Sequence, residues 1–410
     1  MSPAASDSML PVVTIRARDA RRVAAGHPWV FDGALESAPS GLVDGAIVAV
    51  EDPSHRLLGI GPYNGKSRIR VRLLARQSVA IDVDFFERRI RSALAVRERH
   101  LPGASSYRVV NSESDGLSGL VVDRYEDVLV LQIASLGLEQ RKAAIVEALA
   151  RVCKPRAILE RSEGASRRFE GLEPASGLLA GSLESPRALP IRLNGLQFEV
   201  DLEAGHKTGL YLDQQANYEA VARFARGARV LDCFSFLGGF GLHAARAGAA
   251  HVRMLDQSAE AVAASLRNAA ANGLDGRCEA EVANVFDWLK AKSRAEVRER
   301  EAPWDLIVLD PPSFTRSRSS VPDALRGYKE IHLRALRLLA PGGVLATFCC
   351  SHHVDAQAFQ SAIQAAAFDA RVVLRRVACY SQSPDHPVVP SIPETEYLKG
   401  FAFEKVEEGG

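Results

Sequence analysis

The sequence predicts an α/β protein with a doubly wound, mostly parallel sheet in its C-terminal half. A small β-barrel and an α+β segment come before it. Three observations lead there. From residue 191 on, apolar strand-like runs alternate with helical patterns, the order that builds parallel sheets. Three of those runs stop at residues able to do chemistry. Val230-Leu-Asp-Cys233 stops at Phe234-Ser-Phe-Leu-Gly238-Gly239, Trp304-Asp-Leu-Ile-Val-Leu309 at Asp310-Pro311-Pro312, and Thr347-Phe-Cys349 at Cys350-Ser351. The N-terminal part instead carries short β-like runs between turn residues.

Taken in order, the runs 12–15, 46–50, 57–61 and 69–74 are separated by Asp44-Gly45, Asp52-Pro53 and Asn64-Gly65. That spacing predicts a β-barrel over 11–77. Residues 84–97 carry apolar positions at helical spacing. Strands at 120–123 and 128–133, with a helix near 138–152, make 82–190 an α+β segment. Residues 171–190 are rich in Gly, Pro, Ser and Ala and read as a loop or linker. In 191–410 strands are expected at 229–233, 251–256, 305–310 and 343–349, with one more ending at Asn284. Helices are expected at 240–247, 258–272, 323–339 and 355–367.

Composition narrows the function. A net charge of +1 gives no global basic field, so any nucleic-acid affinity rests on local patches. No apolar run is long enough to predict a membrane span. The first residues lack the basic-then-apolar order of a signal peptide and read as a disordered lead-in. Six cysteines without a Cys-x-x-Cys pair predict reduced thiols in the cytoplasm, no disulfide framework and no metal site.

The glycine turn has no Gly-x-Gly-x-x-Gly spacing and no Gly-Lys-Ser/Thr, which argues against a dinucleotide and against a P-loop. Asp232 beside it suits a cationic amino group better than a phosphate. Asp256 ends the next strand, where an acid can bind ribose hydroxyls. Asn284 either reaches an adenine amino group or caps the following helix, and the two are compatible. Together these features fit S-adenosylmethionine.

Asp310 and the cysteines point to a base as methyl acceptor. Cytosine C5 is a poor nucleophile until a thiolate adds to C6. One of two adjacent side chains can face the pocket, which by itself leaves Cys349 and Cys350 both open. The pair His352-His353 beside them could lower a thiol pKa. Arg68, Arg70 and Arg72 alternate along a strand and can share one face that tracks phosphates. Arg316, Arg318 and Arg326 flank the Asp-Pro-Pro turn, and Phe314 or Tyr328 could stack on a base turned out of its helix.

His27-Pro-Trp-Val-Phe31, Glu113-Ser-Asp-Gly-Leu-Ser-Gly119, Val122-Asp-Arg-Tyr125, Gly205-His-Lys-Thr-Gly-Leu-Tyr-Leu-Asp-Gln214, Asp310-Pro-Pro-Ser-Phe314, Arg326-Gly-Tyr-Lys329, Asp385-His-Pro-Val388 and Tyr397-Leu-Lys-Gly-Phe401 occur together. In this combination the chain resembles the PUA-domain 23S ribosomal RNA cytosine-5 methyltransferases of bacteria, over nearly its whole length. The resemblance implies a PUA barrel, a linking α+β domain and a Rossmann-like methyltransferase domain. It implies S-adenosylmethionine near Asp232, Ser235, Gly238, Gly239, Asp256 and Asp310, and Phe234, Asn284 and Pro311 are expected in the same site. It puts the nucleophile at Cys350, with Asp310 as its catalytic partner. RNA would meet Arg68, Arg70, Arg72, Phe314, Arg326, Tyr328 and Lys329, and the protein would be a homodimer. Two positions depart from the family pattern: Leu237 stands where Thr precedes Gly-Gly, and Asn284 where an acid is common. The rival readings are a purine N-methyltransferase that uses Asp310-Pro-Pro-Ser-Phe314, and a non-catalytic RNA-binding assembly factor.

Overall fold

Alternating runs set the first sheet. The computed structural model describes residues 10–203, 209–315 and 317–406, so Gly205–Thr208 of one quoted motif and Arg316 lie outside the described residues. Strands β1 (Val12–Ile15), β3 (Leu35–Ser37), β4 (Ile47–Glu51) and β5 (Leu57–Pro62) pair in the order β3-β1-β4-β5. Strands β2 (Trp29–Phe31) and β6 (Ile69–Arg72) form a second, two-stranded piece. Bridges Tyr63↔Val71 and Ile60↔Ala75 join the pieces. Val13, Ile15, Val30, Val48, Val50 and Val71 share one fully buried core. Helix α1 (Ala17–Ala24) lays Ala20 and Val23 on it.

A five-stranded sheet follows in the order β11-β10-β9-β8-β7. Its strands are β7 (Ser106–Asn111), β8 (Leu120–Tyr125), β9 (Val128–Ile133), β10 (Ala157–Ser162) and β11 (Ala175–Gly181). Helix α2 (Val83–His100) starts where the Asp82 carboxylate accepts the Phe85 N–H at 2.9 Å, an N-cap. Its apolar face, with α3 (Leu136–Glu139) and α4 (Lys142–Cys153), covers the sheet. Part of the loop expected at 171–190 is therefore strand. An edge strand pairs on one side, so β11 forms with mostly exposed side chains and no apolar alternation.

The second sheet runs β16-β15-β14-β17-β18-β20-β19. Strands β14 (Arg229–Cys233), β15 (His251–Asp256), β16 (Cys278–Val282), β17 (Trp304–Leu309) and β18 (Leu339–Cys349) are parallel. Their inner members are covered on both faces and read as continuous apolar runs. Strands β19 (Leu374–Tyr380) and β20 (Lys399–Lys405) add an antiparallel margin, with β20 between β18 and β19. Helices α5 (Gln215–Ala222), α6 (Gly239–Arg246), α7 (Ala259–Ala271), α8 (Val285–Lys292), α9 (Ala295–Arg298), α10 (Val321–Leu338) and α11 (Ala356–Ala370) connect them. A hairpin of β12 (Leu189–Leu193) and β13 (Leu196–Val200) turns at Asn194-Gly195, both at positive φ.

By contact the chain forms two compact units. One holds the residues up to Pro186, with Leu202, Glu203, Gly209 and Asp385–Thr395. The other holds Arg187–Asp201, Leu210–Pro384 and the residues from Glu396 on. In the first, the buried Arg97 binds both Asp115 oxygens at 2.7 and 2.8 Å and the Asp385 carbonyl at 2.7 Å. That tie keeps Asp385–Thr395 with distant sequence. Among the described residues no helix is long and apolar enough to cross a membrane.

Candidate active site at the carboxyl edge of the sheet

Strand order reverses between β14 and β17, the place where open α/β sheets bind ligands. Cys233 pairs with Leu309 on one side and Leu255 on the other. Phe234, Asp256 and Asp310 therefore leave the sheet at one edge. Leu309 also pairs with Thr347, which brings Cys350 to that edge.

Asp232 is buried at the end of β14. Its Oδ2 accepts the Gly241 N–H at 2.8 Å, while Oδ1 has no partner among the described residues. Burial pushes its carboxyl up to about 8; Asp310 and Asp256 add to this and the Gly241 N–H opposes it. The Ser235 hydroxyl is buried and likewise has no partner among the described residues. Orphaned buried acceptors beside further carboxylates fit a ligand that brings a cation and hydrogen-bond donors. S-adenosylmethionine carries both, so the residues present fit it.

The turn itself is unusual. Phe234 (φ 64°), Phe236 (φ 48°) and Gly238 (φ 87°) are left-handed. Two non-glycine residues there mark stored strain, which clusters at ligand sites. Asp256 holds the turn by accepting the Phe236 N–H at 2.9 Å, and its other oxygen accepts the Ser258 N–H at 2.9 Å. A side chain at Gly239 would sit 2.5 Å from the Tyr218 ring, and one at Gly241 2.8 Å from Met254. Gly239, expected to let backbone approach a ligand, makes room for Tyr218. Asn284 adopts the capping alternative: its Oδ1 accepts the N–H groups of Phe286 and Asp287 at 3.0 and 3.3 Å.

Cys349 ends β18 fully buried in the core. Cys350 is half-buried one residue on, with its thiol 4.0 Å from the Pro311 carbonyl oxygen. Ser351 ties the two turns together, its hydroxyl lying 2.9 Å from Ser313 Oγ and 3.3 Å from the Tyr328 hydroxyl. Tyr211 was quoted in a motif but given no role. Burial pushes its phenol up to about 12, with Asp310, Asp213, Cys350 and Asp256 adding to the shift. Its ring meets Phe236 edge-on at 5.3 Å. Strand-end logic did not find it because it lies in a loop ahead of α5.

The RNA-facing expectations divide. Tyr328 is fully buried, with Phe314 at 4.6 Å and Phe359 at 5.1 Å, so it has no free face for a base. Its place on the core side of α10 decides this. Arg72 is corrected too. It is spent on Glu170 at 2.9 Å and Glu113 at 3.6 Å, two carboxylates that burial would leave costly without a cation. Arg68 is exposed, and Arg70 donates to the Gly65 carbonyl. Beside the Asp-Pro-Pro turn, Phe314 is half-buried, Arg326 is exposed and pairs with Asp323, and Lys329 pairs with Asp369 at 2.7 Å. Among the described residues no cluster of His, Cys, Asp or Glu could hold a metal.

Comparison with known proteins bears on this geometry. Residues 13–76 match a PUA-like domain, and residues 147–392 match the S-adenosylmethionine-dependent methyltransferase model. Ribosomal RNA large subunit methyltransferase I of Shewanella denitrificans is 42% identical over 92% of this chain and 94% of its own. The Klebsiella pneumoniae protein of that name is 38% identical over 97% and 99%. The chain belongs to this methyltransferase family. It is an S-adenosylmethionine-dependent enzyme with an N-terminal PUA-like domain and a Rossmann-like catalytic fold. A methyltransferase from Streptococcus mutans superposes with a TM-score of 0.80 at 22% identity, covering 96% of this chain and 99% of that one. Another solved methyltransferase, complexed with SAH, gives 0.81 at 22% identity with the same coverage. At that identity the likeness is one of fold.

Proposed function

We propose that this protein methylates C5 of a cytosine in 23S ribosomal RNA through a covalent bond between Cys350 and C6. The names of its relatives support large-subunit ribosomal RNA as substrate. One observation carries the choice of chemistry: a half-buried thiol lies against the Asp-Pro-Pro turn, at the edge where Asp232 keeps an orphaned oxygen. The Cys350 thiolate adds to C6, and the electron pair of the 5,6 double bond moves onto C5. Asp310 holds the protonated or hydrogen-bonded side of the pyrimidine. Bound beside it, S-adenosylmethionine would supply its sulfonium methyl to the C5 electron pair, the carbon–sulfur bond breaking to leave S-adenosylhomocysteine. Loss of the C5 proton then returns the pair to the ring and releases Cys350.

Asp232, Phe234, Ser235, Gly238, Gly239, Asp256, Asp310 and Pro311 form the proposed cofactor cradle. Asn284 joins it through its amide NH2, because its carbonyl oxygen is occupied by the cap; it would donate to an adenine ring nitrogen. Arg68, Arg70, Phe314, Arg326 and Lys329 are the proposed RNA contacts. Domains at 11–77, 82–190 and 191–410, a homodimer and a cytoplasmic location complete the proposal.

The test is a covalent trap. Enzyme, S-adenosylmethionine and ribosomal RNA containing 5-fluorocytidine should give a denaturation-resistant adduct, because fluorine at C5 cannot leave as a proton does. The adduct should vanish in Cys350→Ala and persist in Cys349→Ala. Methyl transfer to ordinary RNA without any adduct would instead favour the purine reading.

A further inference from the structure

Lys399 opens β20 directly opposite Cys349 of β18. Residues opposite one another in an antiparallel pair project to the same face, so Lys399 starts on the face of Cys349, and its long side chain reaches past it to Ser351. Its Nζ donates to the Ser351 carbonyl at 2.8 Å. The side chain is half-buried, yet among the described residues no carboxylate forms an ion pair with it. A desolvated ammonium held by one carbonyl is incompletely compensated and favours a nearby anion. Cys349, Cys350, Glu396 and Asp355 are among the ionisable groups whose charge acts on it. Burial lowers the Lys399 pKa and these groups oppose that. Tyr211 and Tyr328 also lie close to Cys350, and both are neutral at ordinary pH because burial raises them. His352 turns to Tyr397, ring to ring at 5.5 Å.

Ser351 is gripped at both polar ends. Ser313, which follows Asp310-Pro-Pro, takes its hydroxyl, and Lys399 takes its carbonyl. Cys350 precedes the gripped residue, so its backbone is fixed against the Asp-Pro-Pro turn.

We infer that Lys399 is a positioning residue for the nucleophile: it locks the Cys350 loop through Ser351 and brings a positive charge to the loop that carries the thiolate. The inference rests on the cysteine reading above. When Cys350 ionises, the thiol proton goes to solvent and the sulfur keeps the electron pair that attacks C6. A fixed ammonium on the same loop favours that charged state, as a nearby opposite charge does for any acid.

The experiment is alkylation of Cys350 by iodoacetamide across pH, read as the modified peptide by mass spectrometry, in enzyme without RNA. Lys399→Gln keeps a donor for Ser351 and removes the charge; Lys399→Arg keeps the charge. S-adenosylmethionine binding by calorimetry reports that each variant is folded. Lys399→Gln should move the alkylation midpoint up by about one pH unit, roughly tenfold less reaction at neutral pH. Lys399→Arg should stay within a few tenths of wild type. An unchanged midpoint in folded Lys399→Gln overturns the inference. The readout needs no methyl transfer. A shifted midpoint with no 5-fluorocytidine adduct therefore sinks the cysteine reading alone, and an intact adduct with an unshifted midpoint sinks the Lys399 role alone.

Discussion

At the scale of single residues, Asp232 and Gly239 give the sharpest expectations. The Asp232 carboxyl, raised to about 8, carries its proton at pH 7. A cofactor ammonium docking at Oδ1 would drive that proton off. Calorimetry in buffers of different ionisation enthalpy should therefore show release of up to about one proton per bound S-adenosylmethionine at pH 7. Equal enthalpies in all buffers would mean that no ammonium meets Asp232. Gly239→Ala should cost about 1–3 kcal/mol in urea unfolding, because the new methyl meets the Tyr218 ring. If instead cofactor affinity fell with stability unchanged, the glycine would serve the ligand and not Tyr218. Asp232, Asp256, Asp310 and Cys350 were legible because each lies where an apolar run stops. Tyr211, Ser313, Ser351 and Lys399 were not, because their importance comes from pairing across strands and loops that one-dimensional spacing does not encode. Tyr328 misled for a related reason: a motif residue on a helix says nothing of which side faces the core until the helix is docked.

For elements, four of the five parallel strands read from their apolar runs, since burial on both faces leaves a strong mark on sequence, while the edge strand β16 (Cys-Glu-Ala-Glu-Val) carries little pattern and ends at Val282, short of the expected Asn284. The margins read poorly. Strand β11 exposes most of its side chains, β19 buries none of its own fully, and both carry little pattern. The β12–β13 hairpin was missed although Asn194-Gly195 is a strong two-residue turn signal, both residues taking the positive φ that such a turn requires. Asn284 offers an element-scale test. As the cap of α8 it should contribute about 1 kcal/mol, lost in Asn284→Ala and largely kept in Asn284→Asp. A weaker cofactor in Asn284→Ala, at equal cap loss, would show that its free amide also reaches the adenine. Unchanged affinity would leave it a cap only.

Over the whole molecule, three buried groups shape the response to pH. His243 and His332 are lowered to about 3 and 4, chiefly by burial. Their folded values lie below the unfolded 6.5, so their contribution is complete above about 6.5 and is lost as pH falls toward 4 and 3. Asp232 runs the other way: raised from 3.8 to about 8, it contributes fully at acid pH and loses that as pH rises through 8. Between about 7.5 and 8.5 Asp232 is the group of the three that slopes, so the cofactor-free Tm should fall across that window. Asp232→Asn should flatten the fall, and a slope unchanged in that variant would assign it to other groups. The order of the second sheet has a consequence in time. Strand β19 reaches the sheet only through β20, which is made after it and slots between β18 and β19. As the ribosome releases the chain, Leu374–Tyr380 must wait unpaired for Lys399–Lys405. A half-synthesised domain can thus already own its cofactor loop while its Cys350 turn still lacks the lysine that steadies it.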